Sequence, residues 1–439
     1  MRRVLAATAL ITGLALLTTA CSSGSESASP SSEGAAEASA APASEAPAAS
    51  ASAASTTALA PGISPECESA DIEIWGYGDE TVPWFAAAME DWRAAHPDAT
   101  LKYAYVPFDQ ITSKLLGTAM TGDGPDGIFY NPNDSGRLYE AGVIGDMSAI
   151  WEAYPDAGQF APATVWRLGD AVVSAQGYVN ITALYYNKTI LDELGLQPPT
   201  TVDEFNAAME AAKAAGYEGL AISALGNGQG EFVFLPWLLS EGLNYDAWDE
   251  AKLTEVLTRF KSYFDNGYIS PDATSWDINN SWDKWTAGKT LFAHNGNWNL
   301  QSIGEKVDFD WGVVELPAGS AGTHSVGGGE GVSIGAMAEC PGMVFDLFER
   351  MLFSQDAQTT ILEFQGSIPT RADAGQSPQM ADPALQVFGA TVANAIARPN
   401  SPLSGEYAEK LGAVWNAVAG GQITPEEGAQ QIVSELSIN

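Results

Sequence analysis

Between Asp71 and Asn131 the chain alternates between strand-like and helix-like patterning, and this order restricts the fold more than any other feature. DIEIWGY, 71–77, is a short strand. Thr81-Val82-Pro83 opens a helix, and Phe85, Met89 and Trp92 follow at helical spacing until Pro97 stops it. TLKYAYV, 100–106, alternates Leu101, Tyr103 and Tyr105, as a half-buried strand does. Ile111, Leu115 and Ala119 mark the next helix, and GPDGIFYN brings a third strand ending at Asn131. A β-α-β-α-β order calls for a mainly parallel sheet with helices on its faces, because the helical crossover returns each strand in the same direction. Later stretches continue the α/β pattern. Thr201-Val202-Asp203-Glu204 is a capping box ahead of Phe205, Met209 and Ala212. Leu253, Leu257, Phe260 and Phe264 define a further helix, as do Val344, Leu347, Phe348 and Met351, and Tyr407, Leu411, Val414 and Val418. Thr424-Pro425-Glu426-Glu427 caps the last one, with proline at its first position.

The residues ahead of this region read as address and tether. Arg2 and Arg3 precede an apolar run from Val4 to Leu17, then Thr18-Thr19-Ala20-Cys21. That is the layout of a secretory signal over 1–20, and the run is too short to span a bilayer. Cys21 stands where a bacterial lipobox carries its lipidated cysteine, although Thr18 replaces the usual aliphatic residue. Ordinary cleavage near Ala20 is the alternative. Residues 21–65 are almost all Ala, Ser, Glu, Pro and Gly, too poor in large apolar side chains to fold, and are expected to be a disordered, flexible stalk. A lipid anchor at Cys21 would hold the folded part at the outer face of the cell membrane.

The remaining residues, about 370 from Glu66 onward, exceed one ordinary core, so two lobes are expected. The formal charge of -36 excludes nucleic acid as a partner. Beyond Cys21 only Cys67 and Cys340 remain. Outside the cytoplasm such a pair is expected as one disulfide, two buried thiols being the alternative.

Several stretches, in order, resemble the extracellular solute-binding proteins of carbohydrate ABC importers, the group that includes maltose-binding protein. ALYYNKTILDELGLQPPTTVDEFNAAMEAAKAAG, 183–216, looks like that family's most recognisable segment. AGKTLFAHNGNW (287–298), FDWGVVELPAG (309–319) and GSIPTR (366–371) resemble three more. The resemblance implies a periplasmic-binding-protein-like fold, with two α/β lobes joined by a multi-crossover hinge. Crossovers would fall near Ala175–Tyr178, Thr323–Gly328 and Gly366–Arg371, giving lobe one residues 66–177 and 328–370 and lobe two residues 178–327 and 371–439. It also implies a monomeric receptor, not an enzyme, that uses no cofactor and no metal. The receptor would capture a sugar, an oligosaccharide, and pass it to the transmembrane permease of an ABC importer.

A pyranose has an apolar C–H face and a hydroxyl rim, so its site needs aromatic rings beside amides and carboxylates at strand ends. Trp298, to which the family motif gives a stacking role, has Asn295 and Asn297 beside it. Trp75, Tyr77, Asp79 and Glu80 follow the first strand, and Tyr130, Asn131, Asn133 and Asp134 follow the third. Tyr178 and Asn180 lie at the first crossover, Glu330 follows three glycines, and Arg371 ends IPTR. Trp237 is a further candidate for the cleft, with core packing as its other reading. Asp79, Glu80, Asn131 and Asp134 are also plausible as turn or cap residues, and Arg371 as a hinge residue. Catalysis has little support: His96, His294 and His324 form no metal pattern, and GxSxG is absent. The alternatives are a solute-binding protein for a polyamine or metal ion, and a surface enzyme acting on glycosides.

Overall fold

The computed structural model describes residues 58–398 and 401–438. The proposed signal, Cys21 and nearly all of the stalk lie outside them. The strands are β1 (Asp71–Gly76), β2 (Thr100–Tyr105), β3 (Gly127–Tyr130), β4 (Val165–Leu168), β5 (Ala171–Gln176) and β6 (Tyr178–Val179). They continue as β7 (Thr182–Asn187), β8 (Glu218–Ala221), β9 (Thr290–Gly296), β10 (Trp311–Val314), β11 (Gly331–Ile334) and β12 (Ile368–Pro369). A six-stranded sheet has the order β2-β1-β3-β11-β5-β4, and a four-stranded sheet has the order β10-β7-β9-β8.

The opening alternation folds as patterned. Pro83 starts the helix Pro83–Ala95, which buries Phe85, Met89 and Trp92. Helix Phe108–Thr118 buries Ile111 and Leu115, while Ala119 lies just past its end and is exposed. Capping boxes at Thr201 and Thr424 both form. Most strands of each sheet run one way, as expected, with antiparallel members among them: β11 and β4 are opposed in the first and β7 in the second. β1 is parallel to β2 and β3, and β8 to β9. β11 runs antiparallel to both β3 and β5, β4 to β5, and β7 to both β9 and β10. The antiparallel members reach their sheets without a helical crossover of the β-α-β kind, or return from the other sheet.

Each sheet has its own apolar core. Ile72, Ile74, Phe85, Trp92, Val332, Val344 and Phe348 pack on the first. Leu184, Phe205, Leu220, Phe234, Trp237, Phe260, Phe292 and Trp415 pack on the second. The two lobes are defined by these cores. Cys67, ahead of β1, and Cys340, after β11, are joined by a disulfide within the first.

The chain passes between the sheets three times, and the passages are tied to one another. β6 pairs with β12, placing Val179 beside Ile368 and Tyr178 beside Pro369. Asn180 and Gly328 exchange both backbone hydrogen bonds, N–H to O distances being 3.2 and 2.7 Å. Gly329 must be glycine: φ is +109°, and a Cβ there would fall 2.3 Å from the Tyr178 carbonyl oxygen.

Candidate ligand-binding site

The site grows out of these tied passages. Tyr178 and Asn180 flank the end of β6, and the turn through Gly329 delivers Glu330 beside them. The Asn180 Nδ2 donates to Glu330 Oε2 at 3.2 Å, and its Oδ1 accepts from Ser367 Oγ at 2.7 Å. The hydroxyls of Tyr77 and Tyr178 face the same carboxyl. Burial first, then the charge of Glu330, push both phenols well above their usual range. Burial likewise pushes the Glu330 carboxyl up, partly offset by the two phenols. The Tyr77 hydroxyl, closed off from solvent, meets no partner at hydrogen-bonding geometry, and neither does the Trp84 indole N–H. Trp84 packs edge-on against Tyr178 with ring centroids 6.4 Å apart.

The second lobe supplies an aromatic wall. Trp298 follows β9 in the short turn Asn297–Asn299 and stacks on Phe232 at 6.2 Å with planes 29° apart. Both rings are half-buried. Trp298 lies over Gly296, where a Cβ would come within 1.8 Å of Trp298 Cζ3. Phe232 reaches the middle passage, since a Cβ on Gly328 would fall 2.8 Å from Phe232 Cε2. A continuous run of contacts therefore leads from Trp298 through Phe232, Gly328 and Asn180 to Glu330. One side is apolar and the other polar.

Other sequence candidates serve the scaffold. Asn297 is wholly buried; its Oδ1 accepts from Ile181 N at 2.8 Å, and its Nδ2 donates to Gly366 O at 2.8 Å and Val179 O at 3.4 Å. It clamps two of the passages together and, wholly buried, lies out of a ligand's reach. Asn295, equally buried, bonds Ile278 O, Gly296 N and Asn299. Trp237 is a core residue, with its indole N–H on His294 Nδ1 at 3.2 Å and its ring against Phe205 and Phe260. Arg371 is buried with every arm engaged, on Asp156, Asp373, the Tyr154 hydroxyl and the Phe353 carbonyl. Trp75 turns back on its own strand, donating to Glu73 at 2.8 Å beneath the Lys114 ammonium.

Asp79 is exposed and holds a turn by accepting from Thr81 N and Oγ1, with exposed Glu80 beside it. Asn131 caps the turn Pro132–Asp134 through Asn133 N. Asp134 accepts from Thr112 Oγ1 at 2.8 Å. Its carboxylate also touches the second lobe, lying 1.8 Å from where a Cβ on Gly405 would sit.

The sequence profile of the bacterial extracellular solute-binding proteins matches residues 87–387. The chain belongs to that family. Among relatives of this solute-binding protein, the multiple sugar-binding protein of Streptococcus mutans is 25% identical over 289 residues, 61% of this chain and 66% of that one. The xylose/arabinose-binding protein XacG of Haloferax volcanii is 22% identical over 348 residues, 72% of each chain. Among solved structures, maltose-bound MalE3 of T. maritima has a TM-score of 0.75 at 19% identity, covering 84% of this chain and 99% of that one. The GacH receptor of Streptomyces glaucescens, solved unliganded and with acarbose, has a TM-score of 0.72 at 24% identity, covering 82% and 96%. These structural likenesses establish the two-lobed fold of the solute-binding protein.

Two contributors to its candidate site carry no sequence signal. Phe232 lies in helix Gly228–Leu239, which is buried on nearly every side, so helical periodicity does not single it out. Trp84 sits in the first turn of helix Pro83–Ala95, among core residues of the same composition.

Proposed function

We propose that this solute-binding protein captures a sugar, specifically an oligosaccharide, between its two lobes and delivers it to the permease of an ABC importer. The observation that carries the reading is the pairing of walls at the hinge. The Trp298–Phe232 face suits the C–H face of a pyranose, and Glu330, Asn180, Tyr178 and Tyr77 suit its hydroxyl rim. Asp79 and Glu80, on the exposed loop after β1, are proposed as further contacts to that rim. Relatives named for multiple sugars and for xylose and arabinose support the same class of ligand.

The lobes, taken as 66–177 with 328–370 and 178–327 with 371–439, would close by rotation about the tied passages. A ligand drives that closure only by binding the closed arrangement more tightly than the open one. The receptor is proposed to act as a monomer, held outside the cell by lipid on Cys21 and the stalk. A thermal-shift series tests the reading, using malto-, cello- and xylo-oligosaccharides with spermidine and metal ions as controls. A ligand at about a hundred times its dissociation constant stabilises the folded state by about 2.7 kcal/mol. A rise in melting temperature confined to sugars is expected. A rise with spermidine or a metal ion alone would replace the sugar with that solute, and release of product from an oligosaccharide would replace the receptor with an enzyme.

A further inference from the structure

The polar side of the cleft carries negative charge that the protein does not neutralise. Glu330 has only neutral neighbours, the Asn180 amide and the two phenols, and no ion pair reaches it among the described residues. Glu409, on helix Ser404–Ala419, is exposed to solvent, accepts from Gly228 N at 3.1 Å and makes no ion pair among the described residues. Partial desolvation, and then the charges of Asp134, Glu231 and Asp109, push its carboxyl up. Asp134 has Thr112 as its hydrogen-bond donor and Arg137 as its neighbouring cation. The other basic groups of the region are committed. Arg398 binds both oxygens of buried Glu231, Lys410 pairs with Glu406, Lys114 covers Trp75, and Arg371 serves Asp156 and Asp373. Beside this charge stands a donor without a partner among the described residues, the Trp84 N–H, on a side chain only 8% exposed.

Resting on the sugar-receptor reading above, we infer that the preferred sugar carries a positively charged amino group, a hexosamine unit whose ammonium sits on Glu330 while its ring lies on Trp298. An ammonium gives a shielded carboxylate the charge-assisted hydrogen bonds that neutral hydroxyls do not match. Its charge is also attracted to the face of Trp298, whereas Phe232 already carries the Arg398 guanidinium over its ring at 5.6 Å. The hydroxyl and ring oxygens of the same sugar are acceptors for the Trp84 donor, which a polyamine without oxygen leaves unpaired.

Titration calorimetry on the full protein tests this with a chitosan oligosaccharide, the N-acetylated chitin oligosaccharide of equal length, a cello-oligosaccharide and spermidine. Binding of the amino sugar about tenfold or more tighter than either neutral sugar is expected, the advantage over the neutral sugars vanishing in Glu330→Gln. The wild-type comparison stands even if that variant fails to fold. Equal or tighter binding of the neutral sugars overturns the charged ligand and leaves the sugar receptor in place. Tighter binding of spermidine than of any sugar, or no sugar binding at all, overturns both.

Discussion

His294 should make the stability of the second lobe depend on pH in a calculable way. Its ring is fully buried, and Nδ1 accepts the Trp237 indole N–H at 3.2 Å. The proton of the neutral ring must then be on Nε2, which donates to Thr182 Oγ1 at 2.8 Å. A second proton on Nδ1 would point at the Trp237 N–H, donor against donor. Burial lowers the pKa to about 3. In the unfolded chain a histidine titrates near about 6.5, so the unfolded state takes up the proton first as pH falls. The stabilisation is therefore complete above about pH 6.5 and declines at about 1.4 kcal/mol per pH unit until about pH 3. At about pH 4.5 the loss is about 2.7 kcal/mol.

Urea unfolding of the wild type and His294→Gln, followed by tryptophan fluorescence from about pH 7 to about pH 4.5, reads this directly. Glutamine keeps an acceptor and a donor but does not titrate. The variant should be less stable at neutral pH, and the gap should close by about 2.7 kcal/mol at the acid end. Parallel stability curves would refute the assignment of a neutral, buried ring.

Trp298→Ala should weaken sugar binding by about tenfold or more with the fold intact, and Gly296→Ala, which drives a methyl into the same ring, should imitate it in calorimetry. Asn297→Ala should cost about 2–4 kcal/mol in urea unfolding, because it leaves the Ile181 N–H and the Gly366 carbonyl without their buried partner. Reducing Cys67–Cys340 should remove about 5.6 kcal/mol, since the bridge closes a loop of sequence separation 273; an unchanged denaturation midpoint would show the first lobe to be held by other contacts.

The fold was legible because its signals are local. Helix starts at Pro83, Thr201 and Thr424 are written in three or four residues each, and the structure uses all of them. The antiparallel insertion of β11 between β3 and β5 was not legible, since β11 lies some two hundred residues downstream of β3 and no short-range pattern records that pairing. The site was legible only as a class of residue. Asparagine, arginine and tryptophan at strand ends satisfy a ligand or the backbone of a hinge by the same chemistry. Asn297 and Arg371 turned out to hold backbone and neighbouring side chains, whereas Tyr77, Tyr178, Asn180 and Glu330 converge. Composition cannot separate these two groups, because the difference lies in which neighbours the fold brings within hydrogen-bonding reach.

Asn297 and Trp298 are adjacent in the chain, yet one pins the passages and the other presents the proposed stacking face. A fulcrum and its blade are thus a single peptide apart, in one short turn. No flexible segment lies between them to absorb a misfit, so a displacement of the ring is felt where the passages are clamped. Descendants of this chain that take new ligands would then be expected to vary on the polar side, at Glu330 and the loop after β1, and to leave the Gly-Asn-Trp corner alone.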